Sequence, residues 1–319
     1  MKPWTASRGL YPSAVLTCAI AFVGCAPEPV SSTPVPSAQE PERDTLAMEP
    51  FGTTPTIDVV TWNIETFPKN GETTIETVRQ MVEAMDVDLI GLQEISDRGA
   101  FETLVDQLPG WEGHTDSAWY AGLAWLYRTD RVEVVRQYEI YTTEEYWSAF
   151  PRSPQVMEFR SSGTDIVVIN NHLKCCGDGV FDAGNAGDEE TRRAEAMRLL
   201  KDYVDEHFDG QRVVILGDLN DSLIDAPSDN VFQPLLDEPE RYRFVDLDIA
   251  QGDSEDWSFP NWPSHLDHLL ITQPLFADFE AGGEQAETIL VDQALVGGWW
   301  VYDRDVSDHR PVGLRLAPD

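Results

Sequence analysis

The sequence is poor in positive charge. Its 319 residues carry 22 Lys and Arg against 57 Asp and Glu, a formal charge of −35, and the lysines are only Lys2, Lys69, Lys174 and Lys201. Affinity for a phosphate backbone comes largely from Lys and Arg displacing counterions, so attachment to nucleic acid through a broad basic surface is excluded. Any anion site must rest on Arg, on backbone amides or on a bound metal. Cysteine is scarce as well. Of four cysteines, Cys175 and Cys176 are adjacent, and neither the separated pairs of a disulfide scaffold nor the C-x-x-C spacing of a zinc site is present. The adjacent pair leaves two readings, a strained vicinal disulfide or two plain thiols at a loop. No G-x-G-x-x-G follows the first strand-like run, which argues against a dinucleotide site. The Asp/Asn/Gly-rich segment Gly177–Glu190 lacks the D-x-[DN]-x-[DN]-G register of a calcium loop and reads as a solvated surface loop.

Long apolar runs are missing too. Ala14–Val23 is uncharged and apolar, but it is far shorter than the roughly 20 residues that span a bilayer. With Lys2 and Arg8 before it and small Gly24 after it, residues 1–24 read as an export signal. The segment Phe22-Val23-Gly24-Cys25 resembles the lipobox of bacterial lipoproteins, whose Cys is lipidated and becomes the mature N-terminus. Residues 25–56 then form a tether: positions 26–50 hold six Pro, three Ser and no aromatic residue, a composition that cannot build a core. Removing the signal takes away two positive charges and no acid. The expectation is an acidic domain over 57–319, exported, on the outer surface or the periplasmic side of a bacterial membrane as a lipoprotein, or otherwise secreted.

That domain has ample material for a core, since 42% of the chain is hydrophobic and 10% aromatic. Ile57–Trp62, Leu89–Leu92, Gly122–Tyr127, Val132–Ile140, Gln155–Phe159, Asp165–His172, Val213–Leu216, His265–Thr272 and Val312–Leu316 have strand character. Thr73–Met85, with Ile75, Val78, Val82 and Met85, and Thr191–His207, with Ala194, Met197, Leu200 and Val204, carry helical spacing. There is no internal repeat and no second Pro/Ser linker, so one α/β domain is expected.

Almost every apolar run ends in polar residues suited to metal and phosphate chemistry. Val59–Trp62 leads to Asn63 and Glu65, Leu89–Leu92 to Gln93 and Glu94, Ile166–Ile169 to Asn170, Asn171 and His172, and Val213–Leu216 to Asp218, Asn220 and Asp221. Asp267 and His268 meet a further run, and Asp308 and His309 precede another. Carboxylates and amides at strand ends can converge on one rim of a sheet. Hard oxygen ligands suit Mg²⁺. The accompanying Asp, Asn and His can orient a water, accept its proton and protonate a leaving group, the equipment of phosphoester hydrolysis.

Taken in order, TWNIE, GLQE, NNHLK, ILGDLND, HLDHLL and SDHRP resemble the endonuclease/exonuclease/phosphatase superfamily over about residues 57–316. The resemblance implies a four-layer α/β sandwich, two packed mixed β-sheets flanked by helices, and a divalent-metal hydrolase of phosphate esters using Mg²⁺, with Mn²⁺ or Ca²⁺ as alternatives. It makes Glu94 the principal metal carboxylate, with Asn63, Glu65 and Asp308 around the metal. Asp218 and Asn220 would orient or activate the attacking water and contact the phosphate. His309, braced by Asp267, and His172 would stand at the scissile phosphate, with general acid and base left open between them. Phe150-Pro151-Arg152-Ser153-Pro154 resembles the R-x-P element by which deoxyribonuclease-like members hold phosphate, which gives Arg152 a substrate-binding role; Glu112 or Asp116 would be the acidic partner of His172.

Two substrate classes remain at this level, because specificity lives in loops. One is nucleic acid, cleaved by an exported nuclease-like phosphodiesterase. The other is a lipid headgroup or small phosphoester, as in sphingomyelinases, favoured by lipidated Cys25 as a membrane attachment and by Trp257, Phe259, Trp262, Trp299 and Trp300 as exposed aromatics. No stable protein partner is expected.

Overall fold

A computed structural model describes residues 46–115, 122–283 and 285–318. The segment read as an export signal, Cys25, most of the segment read as a tether, and Asp116 lie outside these residues. Among the described residues, twelve strands form two six-stranded sheets. The first contains β1 (Ile57–Phe67), β2 (Leu89–Ile95), β3 (Trp111–His114), β4 (Gly122–Arg128), β11 (Ala286–Thr288) and β12 (Val312–Leu316), in the order β11-β12-β1-β2-β4-β3. The second contains β5 (Glu133–Glu139), β6 (Gln155–Ser161), β7 (Thr164–His172), β8 (Val213–Asp218), β9 (Tyr242–Phe244) and β10 (Asp267–Thr272), in the order β5-β6-β7-β8-β10-β9. Only β1/β2 and β7/β8 are parallel pairs; the other pairings are antiparallel.

The two sheets bury a shared middle layer that includes Val59, Leu89, Trp125, Phe159, Val168, Val214, Leu269 and Leu314. Outside the first sheet lie α1 (Glu72–Met85) and α2 (Arg98–Asp106), whose Ile75, Val78, Val82 and Met85 join Phe101 and Leu104 in an outer core. Outside the second lies α3 (Glu189–His207), which contributes Met197, Leu200 and Val204. Short helices α4 (Gln233–Leu236), α5 (Leu247–Gln251), α6 (Phe276–Ala281) and α7 (Gly298–Asp305) fill the connections. This is the sandwich expected from the sequence: helix, sheet, sheet, helix. Both parallel pairs are buried on two faces, which is why their sequences read as continuous apolar runs rather than alternation.

Three readings are corrected by the packing. The polar ends of β1, β2 and β8 are not beyond the strands but inside their ladders, with Asn63 opposite Gln93 and Asp218 opposite His172. Glu190 is not part of a solvated loop; it stands in the first turn of α3, buried against Arg193. Globular packing also starts before Ile57, because Phe51 is 2% exposed, stacks under Arg315 and joins the outer core. Among the described residues, no helix is long and apolar enough to cross a membrane.

Candidate active site

Register alone brings the polar residues together. Asp218 ends β8, faces His172 across the parallel β7 pair and faces Asp267 across the antiparallel β10 pair. On the other sheet Asn63 and Gln93 are neighbours across β1 and β2. Below the rim a buried polar bridge ties the sheets: Gln93 Nε2 donates to Asn170 Oδ1 at 2.8 Å, and Asn170 Nδ2 donates to the Leu92 and Ala124 carbonyls. A bridge satisfied on every arm fixes the spacing between sheets that an apolar contact would leave free to slide.

Asp218 Oδ2 is the hub. Asn63 Nδ2 donates to it at 2.9 Å and to Glu94 Oε1 at 3.3 Å. His172 Nε2 lies 3.5 Å from the same oxygen and 4.0 Å from Glu94 Oε1, while His309 Nε2 lies 3.8 Å away from the opposite side. Asp218 Oδ1 accepts from the Asn220 backbone, and Asn220 Nδ2 donates to the Leu173 carbonyl. His309 Nδ1 is bonded to Asp267 Oδ2 at 2.7 Å. Its backbone is pinned as well: Ser307 Oγ accepts from His309 N and donates to the Asn63 carbonyl, and Tyr302 OH donates to the His309 carbonyl. Trp62 donates in turn to Tyr302.

The same burial acts differently on the three titratable groups. Burial pushes Asp218 up to about 7, with the His309 charge opposing and Asp267 and Glu94 adding to the rise. For His309 burial favours the neutral ring, but Asp267 and Asp218 outweigh it and push the imidazole up to about 10. Burial holds His172 well below its ordinary value, helped by the charges of Arg152 and His309. One ring is therefore cationic and the other neutral at neutral pH, so they are suited to different tasks.

The backbone is strained where these groups meet. Glu65, Thr66, Glu94 and Asn220 all have positive φ, and β1 and β2 shift register between Asn63 and Phe67. Asn tolerates this region; for a β-branched Thr and two Glu it costs roughly 1–3 kcal/mol each. The bulge lets Thr66 N donate to Glu94 Oε2 and Glu65 N to Asn63 Oδ1. Gly217, at φ 146, is needed because a Cβ there would lie 2.0 Å from the Asn171 carbonyl oxygen.

A cavity of about 640 Å³ opens over the hub, lined by Glu65, Glu94, His172, Asp218, Asn220, Asp308 and His309, and extending to Cys175 and Cys176 on one side and Phe259 and Trp262 on the other. Three of the four expected metal ligands, Glu65, Glu94 and Asp308, line it, and the fourth, Asn63, is buried behind Glu94. Asn63, Thr66 and Asn220 donate to Glu94 and Asp218, and these neutral donors leave the carboxylate charge in place. An all-oxygen set with such an excess fits a hard divalent cation. Glu65 is partly committed elsewhere, since one of its oxygens accepts from Lys69 and from Asp308 N. Asp218, Asp267 and His309 are packed tightly enough to hold an ion, but the short His309–Asp267 hydrogen bond occupies that geometry.

Arg152 is half-buried and near enough for its charge to act on His172. Glu112 is not the partner of His172: it accepts from Tyr127 OH, and His172 Nδ1 is buried without a hydrogen-bond partner among the described residues. Of the five aromatics read as exposed, Trp262 and Trp300 are (79% and 67%). Trp257 donates to the Ile249 carbonyl, Trp299 packs on Tyr302, and Phe259 lies 4.7 Å from the His309 ring. The supporting roles of Tyr302 and Ser258 had no signal in the sequence. Ser258 Oγ accepts from Asp267 N, and its carbonyl accepts from Arg310 N.

Residues 60–309 match the Endonuclease/Exonuclease/phosphatase family. The chain belongs to that family. A metal-dependent phosphoric ester hydrolase, the enzyme class expected from the sequence, follows from this membership. Among solved structures, D. rerio TDP2 complexed with single strand DNA product is similar at 16% identity and TM-score 0.62, covering 82% of this chain and 99% of that one. An endonuclease/exonuclease/phosphatase family protein from Bacteroides thetaiotaomicron is similar at 16% identity and TM-score 0.57, covering 83% and 98%. The human Nocturnin catalytic domain with bound sulfate anion is similar at 16% identity and TM-score 0.56, covering 82% and 94%. At these identities the likeness is one of fold. No curated protein sequence matches the chain.

Proposed function

We propose that this chain is a Mg²⁺-dependent phosphodiesterase whose substrate is a nucleic acid strand, acting outside the cytoplasm on a lipid-attached tether. The observation that carries the reading is the hub at Asp218 Oδ2, where buried Asn63 donates from beneath and His172 and His309 join Asp218 on the wall of one cavity. Glu94 and Asn63 would hold the cation, with Asp308 and the remaining oxygen of Glu65 near it; when bound, the cation supplies charge neutralisation at the phosphate. Asp218 and Asn220 orient the attacking water, and Asp218 accepts its proton. His309, kept cationic and correctly oriented by Asp267, donates to a phosphate oxygen. His172, neutral and buried beside Asp218, completes the cradle, and Arg152 adds the positive charge that the surface as a whole lacks.

A strand rather than a broad duplex surface suits the charge balance, because a repelled polyanion can still be held by one narrow cavity with an aromatic edge. Phe259 and Trp262 form that edge, and the D. rerio TDP2 relative holds a single-strand DNA product. Exposed Trp262 and Trp300 favour a second reading, a lipid-headgroup or small phosphoester hydrolase, because Trp suits the membrane interface. The test gives the purified protein Mg²⁺, with and without EDTA, and compares single-stranded DNA, plasmid DNA, RNA, sphingomyelin vesicles and bis-p-nitrophenyl phosphate. Chelator-sensitive cleavage of DNA or RNA supports the first reading. Cleavage of lipid or the small diester without nucleic acid supports the second, and chelator-resistant activity contradicts both.

A further inference from the structure

The cavity wall contains a feature that ester hydrolysis does not use. Cys175 and Cys176 follow β7 three and four positions after His172 and are both exposed, free thiols, and both line the cavity that holds His172, Asp218 and His309. Their sulfurs are 3.0 Å apart, with the Cys176 thiol donating to Cys175 Sγ. Lys174 Nζ approaches the same sulfur at 3.7 Å. Two donors therefore converge on Cys175 Sγ, which makes it the better placed of the two sulfurs to attack a disulfide. The hydrogen bond that Cys176 donates to Cys175 pushes the Cys176 thiol up.

The backbone around the pair is held and primed. Arg193 Nη1 donates to the Lys174 carbonyl at 2.7 Å and to the Cys176 carbonyl at 2.6 Å, clamping the segment from both ends. Arg193 is itself buried between Glu190 and Asp221. Cys176 has φ 72, and Gly177 has positive φ and approaches Glu190 so closely that a Cβ there would lie 2.2 Å from Glu190 Oε1, so the turn after the pair requires glycine. Just before the clamped segment, the Leu173 carbonyl accepts from Asn220 Nδ2. Arg193, through Asp221, and Asn220, through Leu173, thus tie the cysteine segment to the loop that carries Asn220 and Asp221.

We propose that Cys175 and Cys176 form a reversible thiol–disulfide site in the wall of the active cavity, with Cys175 the attacking and Cys176 the resolving sulfur. The co-reactant is a low-molecular-weight disulfide such as oxidised glutathione. The Cys175 thiolate attacks one of its sulfurs, a mixed disulfide forms, the S–S bond of the reagent breaks, and one glutathione leaves and takes up a proton. Cys176 loses its proton to solvent and attacks Cys175; the ring bond forms, and the second glutathione leaves. Two electrons pass from the cysteine pair to the reagent. Consecutive Cα atoms are about 3.8 Å apart, short of the roughly 4.4–6.8 Å of ordinary disulfides, so closing the ring twists the peptide that Arg193 clamps. The bond formed this way is strained and readily reduced, as labile regulatory disulfides are. Closure disturbs the Asn220 loop and slows hydrolysis; reduction restores it.

The link to hydrolysis rests on the phosphodiesterase reading, whereas ring closure does not, and two readouts separate them. The full chain is equilibrated in buffers of increasing oxidised to reduced glutathione, alkylated, and mapped by mass spectrometry at the peptide holding both cysteines. The expected result is a peptide that passes from two alkyl groups to none and returns to two with a phosphine reductant. Cys176→Ser stops at a glutathione adduct on Cys175, and Cys175→Ser stays alkylatable at Cys176. On the fastest-cleaved diester, the wild-type rate falls several-fold as the ring closes and recovers on reduction, while the double Ser variant keeps its reduced-state rate throughout. A pair that remains fully alkylatable in the most oxidising buffer, or an adduct that forms first on Cys176, overturns the site. A closed ring with unchanged hydrolysis overturns its control of the cavity. If no diester is cleaved in any state, the function reading fails while the mapping still decides the thiol site.

Discussion

Two buried Asp–His pairs stand side by side at the start of β10, and they end differently. In the first, Asp267 holds His309 Nδ1 at 2.7 Å, and the other ring nitrogen faces the cavity, with Asp218 3.8 Å and Asp308 3.9 Å away. In the second, Asp246 holds His268 Nδ1 at 2.6 Å, and His268 Nε2 is closed off at 2.8 Å by the Asp221 carbonyl. A carbonyl and an ionised carboxylate only accept, so both nitrogens of His268 donate and the ring is a buried cation. Asp246 also accepts from His265 Nε2 and Leu269 N, and His265 Nδ1 accepts from Ser258 N. The residue types match, yet the first pair leaves a proton donor open to a ligand while the second spends both donors on the fold.

The largest expected effect falls on the open pair. His309→Ala lowers hydrolysis by about a hundred- to ten-thousand-fold while the protein still melts cooperatively, with a smaller fall in thermal midpoint than Asp246→Asn because the cavity admits water to the freed Asp267, measured by initial rates and a melting scan on the same preparation. A midpoint that collapses would show that both pairs are structural. Glu94→Ala belongs beside it: activity is lost, and the stabilisation that added Mg²⁺ gives the wild type in a melting scan disappears. If Mg²⁺ shifts both proteins equally, Glu94 is not a ligand.

The closed pair comes next, and its effect is on stability. Asp246→Asn leaves a buried imidazolium unpaired and costs about 3–5 kcal/mol, read by urea unfolding. The pH dependence has a definite sign. Burial favours neutral His268, but Asp246 outweighs it and raises the ring above 6.5. The contribution of His268 is fully present below about 6.5 and is lost as pH rises through the raised value. Asp246 is held well below its ordinary 3.8, its two His partners outweighing burial, so its contribution is present above about 3.8 and is lost as pH falls through the lowered value. The gap between wild type and Asp246→Asn should be widest between these limits and narrow on either side. A gap that does not change with pH would contradict the charged form of His268.

The smallest effects sit on the loop joining the pairs, which touches one through Phe259 on His309 and the other through His265 on Asp246. Trp262→Ala at its tip should weaken a nucleic acid substrate by about 1–3 kcal/mol and leave the KM for bis-p-nitrophenyl phosphate unchanged. Equal loss on both would place Trp262 in the support of His309 rather than in substrate binding.

The sequence marked the open pair and missed the closed one. Asp267 and His309 lie in motifs with a family precedent, and the order of those motifs specified the sandwich and its rim. His268 stood in the same motif with nothing to separate it from a solvated or catalytic imidazole; its partner Asp246 lies 22 positions away on a loop. Long strands with continuous apolar runs were legible because both faces are buried. The three-residue strands Tyr242–Phe244 and Ala286–Thr288 were not, because tertiary pairing rather than local pattern creates them. The bulge at Glu65 and Thr66 escaped for a related reason: it is fixed by Glu94 accepting from Thr66 N, a contact across 28 positions.

The central claim is that Asp218 and His309 act on one substrate as a unit, and a double-mutant cycle tests it directly. It compares wild type, Asp218→Asn, His309→Ala and the double variant by kcat on the diester cleaved fastest with Mg²⁺. Groups that act together are strongly non-additive, so the double variant should be little slower than the slower single one. Losses that multiply, or single variants as active as wild type, would contradict a shared centre at Asp218.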